Sequence, residues 1–270
     1  MWLSKYSASG NNFLIFHTFK KGDYSNLAKK LCDRFEGIGA DGLVALLPNE
    51  KFTYEWDFYN MDGSKANMCG NASRCVAHYA YSNNLAPKIH SFLSKAGEIK
   101  VSVEKDNVEV NFTKVILVKE NIKQSIEDFI KTKNSVGQGD KDNKSKMLNF
   151  YLLDSGVPHL VVFVDSQKIL PKNVNKMLTD LRKKYNANVN FAFIKDRKTA
   201  LISTYERGVE DITKACGTGG AAVFYIANRL SLLDSSAVLI PPSKDKMHFR
   251  KVGDEVYFKG RVKKIADIKI

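Results

Sequence analysis

At 270 residues the chain can bury a sizeable core in one or two domains, and its 44% hydrophobic and 26% charged residues are those of an ordinary globular protein. The longest strongly apolar run, His159–Val164, is far too short to span a bilayer, and Met1–Gly10 lacks the apolar segment of a secretory signal, so a cytoplasmic location and no membrane partner are expected. The net charge of +13 would suit nucleic acid, but the lysines are scattered rather than gathered into an aromatic-studded stripe; the charge reads as a lysine-rich surface whose field attracts carboxylates, with no nucleic-acid partner expected.

In chain order, strand-length apolar runs, several of them alternating, occur at Phe13–His17, Gly42–Leu47 and Tyr54–Asn60. Between the first two, Tyr24–Phe35 carries Leu27, Leu31 and Phe35 at helical spacing and includes Cys32. Gly37–Gly42 matches GxGxxG, but a helical segment precedes it and a strand follows; a dinucleotide site needs the opposite order, so this is a turn. A helix over Ala72–Leu85 opens directly after Cys69–Gly70, followed by strands at Ile99–Lys105 and Val108–Val115. Lys131–Phe150 is polar through its middle and reads as a flexible loop, with a lobe boundary ahead of it near Ile116–Glu120. Strands then fall at Tyr151–Asp154, His159–Val164, Phe191–Lys195, Ala200–Glu206, Ala237–Ile240 and Glu255–Val262. Helices fall at Val174–Asn186 and at Gly219–Leu233, the latter directly after Cys216–Gly217.

The chain repeats itself once. The segment beginning at Cys69 matches that beginning at Cys216, 147 residues later; Ser9 onward matches Ser155 onward, and Gly42 onward matches Asn188 onward, both at 146. The fold class expected is therefore α+β, in two pseudo-symmetric lobes, each a curved, mostly antiparallel sheet around a central helix, with the active site in the cleft between them. The lobes are placed at 1–117 and 118–261.

Each cysteine of the repeat stands where a helix begins. The first N–H groups of a helix lack partners and carry partial positive charge, so a thiol there ionises more readily than the free value of about 8.5. Gly70 and Gly217 let backbone approach a carboxylate. With the two corners facing, one sulfur as thiolate removes an α-proton and the other, as thiol, delivers one to the opposite face, while converging N–H donors hold the charge that moves onto the carboxylate. Cys32 and Cys75 fit structural roles inside helices. No CxxC pair is present, and His17, His78, His90, His159 and His248 show no ligand spacing, so no metal is expected; Cys216–Gly220 lacks the Lys-Ser/Thr pair of a nucleotide loop, and no pyridoxal phosphate signature stands out.

These residues resemble one family, the diaminopimelate epimerases. Asp62–Cys75 is similar to its first signature and Tyr205–Ala222 to its second, with Ser9–Phe13, Gly37–Gly42 and Gly156–His159 matching further segments. The resemblance implies a cofactor-independent isomerase that interconverts LL- and meso-diaminopimelate on the route to lysine and peptidoglycan, commonly as a homodimer, with a C-terminal strand over 262–270 returning to the first lobe. It implies that Cys69 and Cys216 are the acid–base pair and that Gly70, Asn71, Gly217 and Thr218 hold the reacting carboxylate. It further implies that Asn11, Asn60, Asn188, Glu206 and Arg207 bind the remaining ammonium and carboxylate groups, and that Glu206 and His159 assist catalysis. Arg207 suits bidentate capture of a carboxylate, and Glu206 can accept from an ammonium.

The sequence departs from the family pattern in places. Asn12 stands for an Asp, Gly42 for a substrate-contacting Gln, Val157 for a substrate-binding Asn and Ala72 for a Gly, and one extra residue lies between Gly208 and Cys216. None of these touches the two sulfurs; Gly42 and Val157 bear on recognition of the distal end. The alternative within the same chemistry is a cofactor-free racemase or epimerase of proline or hydroxyproline, disfavoured by Arg207, Asn60 and Asn188. The alternative of another class is a basic RNA-binding or scaffold protein with an epimerase-like shell.

Overall fold

The computed structural model describes residues 1–111, 114–125 and 147–270. Contacts divide the chain into two compact units, Met1–Thr113 with Tyr257–Ile270, and Lys114–Val256.

The first unit contains β1 (Trp2–Ala8), β2 (Asn11–His17), α1 (Ser25–Cys32), β3 (Gly42–Leu47), β4 (Glu55–Asn60), α2 (Gly70–Ser82), β5 (Ile89–Ser94), β6 (Gly97–Glu104) and β7 (Asn107–Asn111). Chemistry dictates the pairing: β1–β2, β3–β4, β5–β6 and β6–β7 are antiparallel and joined by short turns, whereas β2–β3 and β4–β5 are parallel, and each of those crossovers carries a helix. Ten of the thirteen residues of α2 are buried, with small residues such as Ala72, Ala77 and Ala80 admitting the strands around it; it packs on β1, β2, β6 and β7. α1 buries Ala28, Leu31 and Cys32 beside Leu14, Phe16 and Tyr59. The expected continuation to Phe35 is corrected. The Asp33 carboxylate accepts from the N–H groups of Phe35 and Glu36 (2.8 and 2.7 Å), turning the chain out of the helix and leaving Phe35 95% exposed.

The second unit contains β8 (Ile116–Ser125), β9 (Met147–Asp154), β10 (Pro158–Val164), α3 (Lys176–Tyr185), β11 (Asn188–Asp196), β12 (Thr199–Glu206), the short β13 (Asp211–Ile212), α4 (Gly217–Arg229), β14 (Ser236–Ile240) and β15 (Met247–Val252). Of the expected loop Lys131–Phe150, residues 131–146 lie outside the described residues, and Met147–Phe150 belong to β9; Ile116–Glu120 lies within β8. β10–β11 and β12–β14 are parallel across helical crossovers, and β9–β10, β11–β12 and β14–β15 are antiparallel, the order found in the first unit. The register repeats as well. Phe13 faces Gly42 and Leu43 faces Tyr59 in the first unit; His159 faces Asn188 and Val189 faces Tyr205 in the second, each residue shifted by 146. The central helices α2 and α4 are both 13 residues long, with starts 147 apart.

β16 (Glu255–Arg261) leaves the second unit; from Tyr257 it pairs antiparallel with β7, and β17 (Lys263–Lys269) pairs antiparallel with β1, so the last strands join the first unit's sheet. Among the described residues, no helix is long and apolar enough to cross a membrane.

Candidate active site

The first unit presents Cys69 as the N-cap of α2, in extended conformation (φ −150°, ψ 122°) and half-buried, with Gly70 and Asn71 in the first helical turn. Behind it runs a line of hydrogen bonds with one direction. Arg74, fully buried one turn along α2, donates from Nη2 to Asn71 Oδ1 (2.5 Å), and Asn71 Nδ2 donates to Asn11 Oδ1 (2.6 Å). Asn11 Nδ2 in turn donates to Asp41 Oδ2 (3.2 Å), and Asp41 is held by Arg34 (2.5 Å). A guanidinium can only donate and a carboxylate can only accept, so the two ends fix which way both amides point. Arg74 also donates to Ser9 Oγ and to the Arg261 carbonyl (3.1 Å each), with its guanidinium 4.3 Å from the Phe258 ring centroid; a side chain on Gly260 would collide with it. Asn60, at the end of β4, turns its amide to Ser64 Oγ (2.9 Å) instead of joining this line.

The departures find physical places. Asn12 is held by its backbone, N–H to Asp41 Oδ2 (2.8 Å), and Ala72 is fully buried in α2. A Cβ on Gly42 would lie 2.6 Å from the Phe58 ring and 2.7 Å from the Tyr59 carbonyl, so the local packing has no room for the glutamine many relatives are expected to carry there.

The second unit presents Cys216 as the N-cap of α4 (φ −123°, ψ 113°), buried, its Sγ accepting from the Gly219 N–H (3.4 Å) and lying 3.4 Å from Thr218 Oγ1. Thr218 Oγ1 is 3.0 Å from His159 Nε2, and Ser155 Oγ donates to the Thr218 carbonyl (2.9 Å). His159 is fully buried among Asn188, Asn190 and Thr218. Burial pushes its pKa down to about 3, reinforced by the charge of Arg207. Glu206 ends β12; burial raises its carboxyl above the ordinary range, opposed by hydrogen bonds with Thr213 and, less, with Cys216. Arg207 follows, its N–H donating to Asn188 Oδ1 (2.7 Å) and its Nη1 to the Asn186 carbonyl (3.1 Å). Gly217 opens α4.

The structure therefore gathers Cys69, Gly70, Asn71 and Asn11 in one unit, and Cys216, Gly217, Thr218, His159, Asn188, Glu206 and Arg207 in the other. They occupy matching positions of the repeat: Asn11 with Val157, Phe13 with His159, Gly42 with Asn188, Asn60 with Glu206, Asn71 with Thr218. Arg74, Asp41 and Asn190 were missed as functional candidates. Asn190 was legible in principle, because it lies two residues after Asn188 and a strand sends alternate side chains to one face. Cys32 and Cys75 are buried in α1 and α2; burial lifts the Cys32 thiol to about 12 and the Cys75 thiol higher still, which keeps both protonated.

Two repeated units, each with a cysteine capping its central helix, define an epimerase-type fold. Solved structures agree: a hydroxyproline epimerase from Agrobacterium vitis matches with TM-score 0.70 at 13% identity, over 99% of this chain and 91% of that one. A probable proline racemase from Agrobacterium radiobacter K84 matches with TM-score 0.69 at 10% identity, over 100% and 92%. At the level of sequence, the family model described as diaminopimelate epimerase matches residues 3–118 and 151–265. The chain is 47% identical over 267 residues to the diaminopimelate epimerase of a Nitratiruptor species, covering 99% of this chain and 97% of that protein. It is 47% identical over 263 residues to that of Helicobacter pylori strain P12, covering 97% and 94%. The chain belongs to the diaminopimelate epimerase family and is an isomerase.

Proposed function

We propose that this protein interconverts LL- and meso-diaminopimelate by two-base proton transfer between Cys69 and Cys216. The observation that carries the reading is the pair of cysteines at the N-caps of two equivalent helices. Each cysteine occupies an N-cap position, where first-turn N–H groups lack intrahelical partners and favour a thiolate and a substrate carboxylate alike; Cys216 Sγ accepts from one of them, the Gly219 N–H, whereas the Cys69 side chain makes no cap hydrogen bond.

In one direction the thiolate takes the α-proton and becomes a thiol. The electron pair left on carbon spreads into the adjacent carboxylate, stabilised by the N–H groups of the Gly70–Asn71 and Gly217–Thr218 turns. The second thiol then gives its proton to the opposite face and becomes the thiolate. The centre is inverted, and the reverse reaction exchanges the roles. Asn11, Asn60, Asn188, Glu206 and Arg207 bind the remaining ammonium and carboxylate groups; Glu206, raised by burial and bonded to Cys216, also exchanges a proton with that sulfur. His159 is neutral at physiological pH and acts as a hydrogen-bonding group through Thr218. No step calls for a cofactor. The same reading carries a cytoplasmic location and a homodimer; light scattering of the purified protein tests the dimer.

Incubation with LL-diaminopimelate in deuterated water should give the meso isomer with deuterium at the inverted carbon. Cys69→Ala and Cys216→Ala should each abolish inversion while retaining the native circular dichroism spectrum. Activity persisting in either variant refutes the two-base scheme, and deuterium entering only proline or hydroxyproline refutes the substrate.

A further inference from the structure

The two units differ on one strand face, which in the second unit lies against the first turn of α4. In the first unit that spot is apolar, built from Phe13, Val44 and Phe58, with the two rings edge-on at 5.9 Å. The equivalent residues of the second unit, by the 146-residue shift of register, are His159, Asn190 and Thr204, all buried. The fold is thus satisfied by an apolar set, and burying three polar side chains instead needs a reason in their chemistry.

Their hydrogen bonds run one way. The Thr204 hydroxyl donates to Asn190 Oδ1 (2.9 Å). Asn190 Nδ2 faces the main-chain carbonyls of Leu160 (3.2 Å) and Asn188 (3.4 Å) and His159 Nδ1 (3.0 Å). Carbonyls only accept, so the amide nitrogen must occupy that side, and a proton on His159 Nδ1 would confront amide hydrogens. We propose that Asn190 is a positioning residue that holds His159 as the tautomer protonated on Nε2, and so aligns Thr204, Asn190, His159 and Thr218 into a line of donors ending on the Cys216 sulfur. With Nε2–H donating to Thr218 Oγ1 (3.0 Å), the threonine's own hydrogen is left for Sγ at 3.4 Å, beside the Gly219 N–H at the same distance. Two donors on one sulfur favour its thiolate. Asn188 Nδ2, 3.3 Å from Nε2 with its Oδ1 held by the Arg207 N–H, competes for the same ring nitrogen, but a proton on Nε2 finds an acceptor in Thr218 Oγ1 whereas a proton on Nδ1 would find none.

The inference rests on Cys216 being an acid–base residue, but its test reads the imidazole directly. In protein labelled with 15N-histidine, long-range nitrogen–proton NMR correlations distinguish the tautomers, and the His159 signal is identified by its loss in His159→Gln. Wild type should show Nδ1 bare and Nε2 protonated. Asn190→Asp, which places a carboxylate opposite Nδ1, should move the proton to Nδ1 and lower kcat on the order of tenfold to a hundredfold, the scale known for changes to the hydrogen-bond partner of a metal-bound histidine. Asn190→Gln should restore part of the rate and the wild-type tautomer. Protonated Nδ1 in the wild type, or an unchanged tautomer in Asn190→Asp, overturns the proposal, and the wild-type spectrum alone decides if the variants do not fold. A correct tautomer in a protein inert toward diaminopimelate would instead sink the functional reading.

Discussion

His159 makes a quantitative link between burial and pH. Its pKa is ordinarily 6.5 and is driven to about 3 in the folded protein, chiefly by loss of hydration. Above the unfolded value the ring is neutral in both states and has no effect. As pH falls below about 6.5, the unfolded chain takes up a proton that the native state refuses, so stability is lost continuously until the folded value is reached. Between about pH 7.5 and about pH 5 the loss from this one residue is about 2 kcal/mol, or a fall of roughly 4–8 °C in Tm for a chain of this size. Replacing His159 by Gln removes the titration while keeping an amide able to bond Thr218. Calorimetric melting of both proteins at the two pH values should show the wild type losing about 2 kcal/mol more than the variant. Equal losses would mean that His159 is protonated, or hydrated, in the native state, and the neutral role given to it above would fall.

Arg74→Met removes a buried cation that bonds Asn71, Ser9 and the Arg261 carbonyl. Lost hydrogen bonds, partly offset by no longer burying a charge, should lower stability by about 3 kcal/mol, with a raised KM as Asn71 loses its orientation; a urea midpoint and KM matching wild type would refute the relay. Glu206 has a raised native pKa, so its stabilising contribution is complete below the unfolded value of 4.5 and is lost as pH rises through the folded one. Glu206→Gln should therefore melt above wild type at neutral pH, the gap closing toward acid, while turnover collapses; a variant less stable at neutral pH contradicts the buried carboxylate. Gly42→Gln should destabilise the first unit by about 3 kcal/mol through overpacking against Phe58 and the Tyr59 carbonyl, and chemical denaturation showing no loss would mean the strand yields freely there.

Several features are legible in the sequence itself. Helices beginning at Cys69–Gly70 and Cys216–Gly217 follow from the small, apolar sequence after each cysteine–glycine corner, and Gly37–Gly42 reads as a turn because the elements around it come in the wrong order for a nucleotide site. Other elements are not. The short runs of β1 and β5 carry too little hydrophobic signal to separate from loop, and β17, exposed along nearly all its length, was expected only from the family resemblance, which placed a strand over 262–270 in the first unit. Phe35 fits the helical period yet lies outside, because the Asp33 turn ends the helix first.

By itself, the sequence determined the duplication and the placement of a cysteine at the start of each central helix, because periodicity and internal repetition are read directly from the order of residues. Only the tertiary structure decided how each thiol is surrounded. Arg74 reaches Asp41 through two amides, and Thr204 reaches Cys216 through Asn190, His159 and Thr218, by bonds between residues far apart in sequence. A buried amide or imidazole has no preferred direction of its own; it acquires one from the donor-only and acceptor-only groups that folding brings to either side.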